Sequence, residues 1–264
     1  METCKQFFAY FFGKGEAEEF TNFTLAHLLP ILVAAGVIAL IWFCRKKLQA
    51  NEKLDTTLRW VMAFALIITE MSYYWRLVGV PSLGPNPIDH LPISVCGWAV
   101  IFCSYMIITK NQTLFDISYF FLLCATIFAL ITPTVITYTG PTRFRYYQFW
   151  LEHTLGYVAI FYLMFVHKFR PTVKSAVKSF CAFVVLGLVA LFANNLLGPG
   201  ANYLYVARPE STPSILDILP SNYALRLAIM VAAVLTLFFL AYLPWLIMDI
   251  RAKKKETEKA NEQV

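Results

Sequence analysis

Seven stretches of this chain, 23–44, 57–80, 90–109, 114–138, 146–167, 174–198 and 222–250, run for twenty or more residues with mainly apolar side chains. At 1.5 Å of rise per helical residue, about twenty residues cross the roughly 30 Å hydrocarbon core of a bilayer. Lipid offers no hydrogen bonds, so a single such segment must pair its own backbone groups, which only a helix does. The apolar residues fill these runs instead of striping them, and 14% of the chain is charged, against about 25% in soluble domains. The expected fold class is therefore all-α and polytopic, a seven-transmembrane-helix bundle. Residues 1–22 read as an interfacial N-terminal segment, 23–250 as the membrane domain and 251–264 as a cytoplasmic charged tail. The N-terminal "FFAYFF" is too short and too close to acids for a cleavable signal peptide, and its aromatic rings suit the membrane interface.

Positive charge sets the orientation. Fifteen of the twenty-two Lys and Arg residues, among them Arg45, Lys46, Lys47, Lys168, Arg170 and the 251–259 cluster, lie in the connections on the side of the C-terminus. The expectation is N-terminus outside and C-terminus inside, in a multi-pass cell membrane protein of a bacterial cytoplasmic membrane. The net charge of +6 then speaks for an anionic membrane surface and against nucleic acid. Five of the six cysteines lie in or beside the runs, and no spacing suits a metal or a disulfide framework. No metal and no cofactor is expected.

Polar residues inside a membrane are costly and mark function by default. Counted from the outer ends, His27 lies one turn into the first run and Glu70 about ten residues into the second. Cys96 lies six residues below His90, roughly 9 Å, and His153 seven below Tyr146, roughly 10 Å. Asn194 and Asn195 lie one turn from the outer end of the sixth run. The inner half offers Asp116 and His167 near its ends and otherwise reads as apolar packing, with His167 a surface group. Tyr146, Trp150, His153 and Tyr157 recur at i, i+4, i+7 and i+11, one face of a helix. Cys96 and His153, at matching depth on different helices, suit a thiol activated by an imidazole. Two bland alternatives stand beside that: a small apolar cysteine and a core histidine bonded to a tyrosine. Glu70 would cost several kcal/mol if ionised and alone, so it is expected protonated or bonded to a group from another helix, His27 or His153. In "DHLPISVC", His90 and Ser94 would share a helix face, with Pro92 tolerated in the first turn.

Several stretches resemble the YwaF-type integral membrane proteins of bacteria, whose distant eukaryotic relatives include a transmembrane acyltransferase that remodels ether phospholipids. They are "HLPISVC", "DISYFFLLCATIFALITP", "FWLEHTLGYVAIFYLM" and "NNLLGPGANYLYVARPESTPSILDILP". The resemblance implies a seven-span bundle and acyl chemistry on lipids. It puts Cys96 and His153 on the family's intramembrane cysteine and histidine, and His27 on a histidine of the first span. It puts Asn202, Tyr203, Ser214 and Asp217 in its loop signature. The chain departs from the pattern at Ser94, where the bacterial motif has histidine, and at Ile93, where the eukaryotic nucleophile would stand.

The reading that results is a membrane-embedded acyltransferase, transacylase or lipase acting on phospholipid and lysophospholipid from the outer leaflet. Cys96 would be the nucleophile and His153 the base, with Glu70 or His27 orienting the imidazole. Asn194, Asn195 or Ser94 would stabilise the oxyanion, while His90, Trp150, Tyr157 and Asn202 line the pocket. The long connection of residues 198–222 would be a lid bringing Arg208 to a phosphate. The alternatives are a small-solute transporter or substrate-binding subunit with an outward-facing polar pocket, for which no internal repeat is evident, and a receptor or scaffold.

Overall fold

The computed structural model describes residues 2–14, 20–86, 88, 90–133, 139–206 and 218–262. Among these are nine α-helices and no strand. They are α1 (Glu2–Phe12), α2 (Leu25–Ala50), α3 (Glu52–Gly79), α4 (Val95–Thr109), α5 (Gln112–Phe121), α6 (Ile127–Ile131), α7 (Phe144–Val166), α8 (Val173–Leu197) and α9 (Tyr223–Glu262). A single π turn, Leu122–Thr126, joins α5 to α6 without a break, so Gln112–Ile131 forms one rod. Six of the resulting helices are long and apolar enough to cross a membrane: α2, α3, the α5–α6 rod, α7, α8 and α9. The third apolar run falls short. Its helix has 15 residues, about 22 Å of rise, because Pro92 holds Leu91 out of helical geometry and the first turn forms only after Ser94.

Burial places α4 and α7 at the centre. The apolar stretch of α7 is 67% buried, while those of α2 and α9 are 11% buried each, and α4 packs against α3, α5 and α7. The peripheral helices instead expose rows of large apolar side chains, such as Leu32, Val33, Leu40 and Phe43 on α2 and Val184, Val185, Leu188 and Phe192 on α8, as lipid-facing surfaces require. The N-terminal α1 likewise exposes Phe7, Phe8 and Tyr10 and docks on the start of α7, where the Arg143 guanidinium lies 3.6 Å from the Tyr10 ring centre and donates to the Tyr10 carbonyl at 2.6 Å.

Two prolines inside helices show how the bundle satisfies its backbone. Pro30 in α2 has no N–H for the carbonyl of Ala26, four residues earlier, and that carbonyl receives the Tyr146 hydroxyl from α7 at 2.5 Å. Pro244 leaves the Leu240 carbonyl of α9 without its in-helix donor, and one residue further on the Tyr119 hydroxyl from α5 donates to the Ala241 carbonyl at 3.0 Å. Gly156 lets α7 approach the π turn closely: a Cβ there would lie 2.9 Å from Leu122 Cδ2 and would force the Leu122 side chain to shift.

The end of the bundle opposite Cys96 is not apolar packing. Asp55 of α3 accepts from Arg59 Nε at 3.0 Å and from the Tyr162 hydroxyl at 2.7 Å, and pairs with His167 Nε2 at 2.8 Å. Arg59 also donates to the carbonyls of Ile107 at 3.3 Å and Ile108 at 2.7 Å, tying α3 to the end of α4. His167 is thus a member of a buried ion cluster and not a surface group. Nearby, Lys178 of α8 pairs with Asp116 of α5 at 2.8 Å, and Arg170 with Asp249 of α9 at 2.5 Å. The charged C-terminal stretch continues α9 as an exposed helix through Glu262. At 40 residues it is about 60 Å long, twice the hydrocarbon thickness, and projects beyond it.

Candidate active site

Cys96 is the second residue of α4. Ser94 is its N-cap, with Oγ accepting from the Gly97 N–H at 3.0 Å and the carbonyl accepting from Trp98 N at 3.1 Å. This leaves the backbone N–H groups of Val95 and Cys96 without hydrogen-bond acceptors among the described residues, at the end of the helix that carries partial positive charge. The thiol is half-buried.

The buried imidazole of His153 on α7 is an electrostatic neighbour of Cys96. Its Nδ1 lies 2.8 Å from the Phe149 carbonyl. A carbonyl only accepts, so Nδ1 carries a proton, and in the neutral ring Nε2 is the nitrogen available to act as a base. The Phe149 ring, 4.2 Å away centre to centre, lies against one face of the imidazole. Thr126, the last residue of the π turn and 1% exposed, donates its hydroxyl to Cys96 Sγ at 3.7 Å. Tyr157, one turn along α7 from His153, is fixed by donation to the Leu122 carbonyl at 2.6 Å. The sulfur therefore meets groups from α7 and the π turn while standing on α4.

Glu70 of α3 is 7% exposed, and its Oε1 lies 3.1 Å from where a Gly97 Cβ would stand, beside the first turn of α4. Among the described residues it hydrogen-bonds neither His27 nor His153, the two expected partners. Its electrostatic neighbours are Glu152, Arg145 and His153. Arg145 pairs with Glu152 at 3.5 Å, Gln148 Nε2 donates to Glu152 at 2.9 Å and to the Thr69 carbonyl at 3.2 Å, and Arg145 also donates to Gln148. The guanidinium lies 4.8 Å from the Tyr73 ring centre. Orientation of the imidazole thus falls to a backbone carbonyl, while Glu70, Glu152 and Arg145 form a cluster of ionisable groups within electrostatic reach of it.

The other expected residues divide. Tyr146, Trp150, His153 and Tyr157 are all buried along one face of α7, as their spacing predicts. His27 stands apart from the thiol pair: Nδ1 accepts from the Phe23 N–H at 2.8 Å, and Nε2 donates to the Leu130 carbonyl at 2.7 Å. One nitrogen holds the segment leading into α2 and the other joins α2 to α6, so both are committed and His27 does not orient His153. His90 and Ser94 lie before the helix and share no helical face; the His90 Nδ1 pairs with the Tyr73 hydroxyl at 2.8 Å. Asn194 closes a two-way pair with the Tyr203 backbone, 2.7 Å to its N–H and 3.1 Å to its carbonyl. The Tyr203 hydroxyl in turn receives the Leu91 N–H at 2.8 Å and donates to the Ile88 carbonyl. Asn194 thereby fastens the connection after α8 to the segment before α4, Asn202 lies within that connection, and Asn195 is exposed. None of the three asparagines contacts the thiol. Arg208, Ser214 and Asp217, and with them most of the expected lid, lie outside the described residues. Thr126 and Arg145 are the members of the site that the sequence reading missed.

Nothing among curated proteins and nothing among solved structures matches the chain. A model of one protein family matches residues 20–243, a stretch holding every residue of the site just described. With most of its length covered by that model, the chain belongs to the TMEM164 family.

Proposed function

We propose that the protein is a membrane-embedded acyltransferase or lipase that takes an acyl group from a phospholipid onto Cys96. The observation that carries this reading is the pair formed by Cys96 and His153, with His153 Nδ1 held on the Phe149 carbonyl at 2.8 Å. His153 Nε2 takes the thiol proton as Cys96 Sγ attacks the ester carbonyl. The first-turn N–H groups of Val95 and Cys96 are the donors available to the developing oxyanion, supported by the positive end of α4. Collapse of the tetrahedral intermediate breaks the ester C–O bond, and the imidazolium returns its proton to the departing lipid hydroxyl. A thioester on Cys96 and a lysophospholipid result. An acceptor hydroxyl, or water, then attacks the thioester with His153 again as base. Glu152 and Glu70 are the acids within electrostatic reach of the imidazole and stabilise its cationic form during each step. In this reading α4 is a seventh crossing, the N-terminus is outside and the site opens to the outer leaflet of a cell membrane, in keeping with the Lys and Arg distribution.

The test is mass spectrometry of the purified protein after incubation with phospholipid and lysophospholipid, beside Cys96→Ala and His153→Ala. A fatty-acyl adduct on Cys96, with acyl exchange lost in both variants, is the expected result. Exchange that persists in Cys96→Ala would refute the nucleophile. No change in any lipid would redirect the pocket to solute binding or transport.

A further inference from the structure

Arg226 stands in the first turn of α9 and is the largest fully buried side chain of the protein, at 1% exposure. Its Nε, Nη1 and Nη2 are all buried, and none has a hydrogen-bond partner among the described residues. The other enclosed arginines differ: Arg59 is paired with Asp55 and two carbonyls, Arg76 with the carbonyls of Phe12 and Gly13, Arg143 with the Tyr10 carbonyl, and Arg145 with Gln148 and Glu152. A guanidinium cannot shed its proton, and a buried cation left alone is strongly unfavourable. Its position adds to the conflict. The first turn of a helix carries partial positive charge, the first turn of α9 holds no acidic residue, and the cap is the neutral Asn222, whose Oδ1 accepts from Leu225 N at 3.0 Å. One anion at this place would answer both the side chain and the helix end.

The depth of Arg226 relates it to the thiol. Phe238 of α9 packs at a tilt on Phe120 of α5 with ring centres 4.7 Å apart, which fixes the relative height of the two antiparallel helices. Arg226 is twelve residues before Phe238, roughly 18 Å towards the Cys96 end, and Thr126 is six residues beyond Phe120, roughly 9 Å the same way. The α-carbon of Arg226 thus stands on the order of 9 Å nearer that end of the bundle than the group bonded to Cys96 Sγ. A headgroup phosphate lies above the acyl ester of its own lipid in the same sense, separated from it by the glycerol backbone.

We propose that Arg226 binds a phosphate group, from a lipid headgroup or from free phosphate. In the lipid case it holds the phosphodiester while the acyl ester below reaches Cys96, and to that extent the proposal rests on the acyl-transfer reading above. Binding is therefore measured with chemistry removed, on the full-length Cys96→Ala protein in detergent micelles. The titrants are phosphatidylcholine, a diacylglycerol with the same acyl chains, and inorganic phosphate. Phosphatidylcholine is expected to bind at least about 10-fold more tightly than the diacylglycerol, as a charge-assisted contact gives. Adding Arg226→Met should weaken phosphatidylcholine roughly 10- to 100-fold and leave the diacylglycerol unchanged. Without lipid, the Arg226→Met protein should melt no lower than its parent, because an apolar side chain replaces an unpaired buried charge. If inorganic phosphate competes with phosphatidylcholine at millimolar concentration, the bare anion suffices as occupant; if it does not, the headgroup is the source. Equal binding of phosphatidylcholine by both proteins, or a lower melting temperature with all titrants weakened alike, would overturn the proposal by making Arg226 a structural residue. Failure of acyl transfer to appear on Cys96 leaves this binding result standing and strikes only the reading of the thiol.

Discussion

The carbonyl of Ala26 offers a quantitative test of how this bundle is held together. Pro30 denies it the usual in-helix donor, and the Tyr146 hydroxyl, 120 residues along the chain, supplies one. Ordinary interhelical hydrogen bonds in membranes are worth about 0.6 kcal/mol, because their partners find other bonds when the helices separate. Here the carbonyl has no bond inside its own helix, and Tyr146 is 5% exposed, so water does not replace the hydroxyl. Tyr146→Phe should therefore cost about 1–2 kcal/mol, within the range for an orphaned buried acceptor. Pro30→Ala restores an N–H four residues after Ala26, and in that background Tyr146→Phe should cost close to nothing. The difference is a coupling energy on the order of 1–2 kcal/mol, read from reversible unfolding of the four proteins in mixed micelles by circular dichroism. An equal loss from Tyr146→Phe in both backgrounds would refute the reasoning, since the hydroxyl would then act through packing and not through the proline gap.

Gly156→Ala should destabilise the protein by about 1–3 kcal/mol through overpacking, as its Cβ would lie 2.9 Å from Leu122 Cδ2; Leu122→Ala should relieve part of that loss in the same unfolding assay. Thr126→Val keeps the volume and removes the hydroxyl that meets Cys96 Sγ, so acyl adduct formation should slow roughly 10-fold while melting changes little, with Thr126→Ser restoring the rate. Asp55→Ala should cost about 3–5 kcal/mol, because it strips Arg59 of its buried counter-ion; a shift below 1 kcal/mol would show that the Ile107 and Ile108 carbonyls alone suffice.

Much of the site was legible because depth in a membrane can be counted. Cys96 and His153 were matched by residues per turn from the ends of their runs, and in the structure the two are electrostatic neighbours. The burial of Tyr146, Trp150, His153 and Tyr157 followed from a single helical face. The rest was hidden for physical reasons. Residues 90–94 are apolar enough to continue a run, yet Pro92 and the capping hydroxyl of Ser94 delay the helix to Val95. Asp55 lies just ahead of the second apolar run, where a charge draws no notice, and its partners Tyr162 and His167 lie 107 and 112 residues away. His27 looked catalytic by composition and depth, and only the positions of Phe23 N and the Leu130 carbonyl reveal it as a joint between helices. Arg145 sat among the polar residues at the start of a run, where its pairing with Glu152 has no signature.

The π turn of Leu122–Thr126 has a consequence for how the rod could change in length. A π turn holds one residue more than the α-helix it interrupts, so it amounts to a single-residue insertion absorbed locally. Deleting any one residue from 122–126 would let the rod close as a regular helix, and the residues after it would keep nearly the facing they have now. A deletion of the same size in a regular stretch such as the middle of α7 would instead turn everything on one side of it by about 100°. The rod therefore tolerates a change of length at this one place while the stretch ending at Leu130 stays aligned with His27. A one-residue gap that falls within 122–126 in a relative thus belongs inside the helix and leaves the rest of the rod in register.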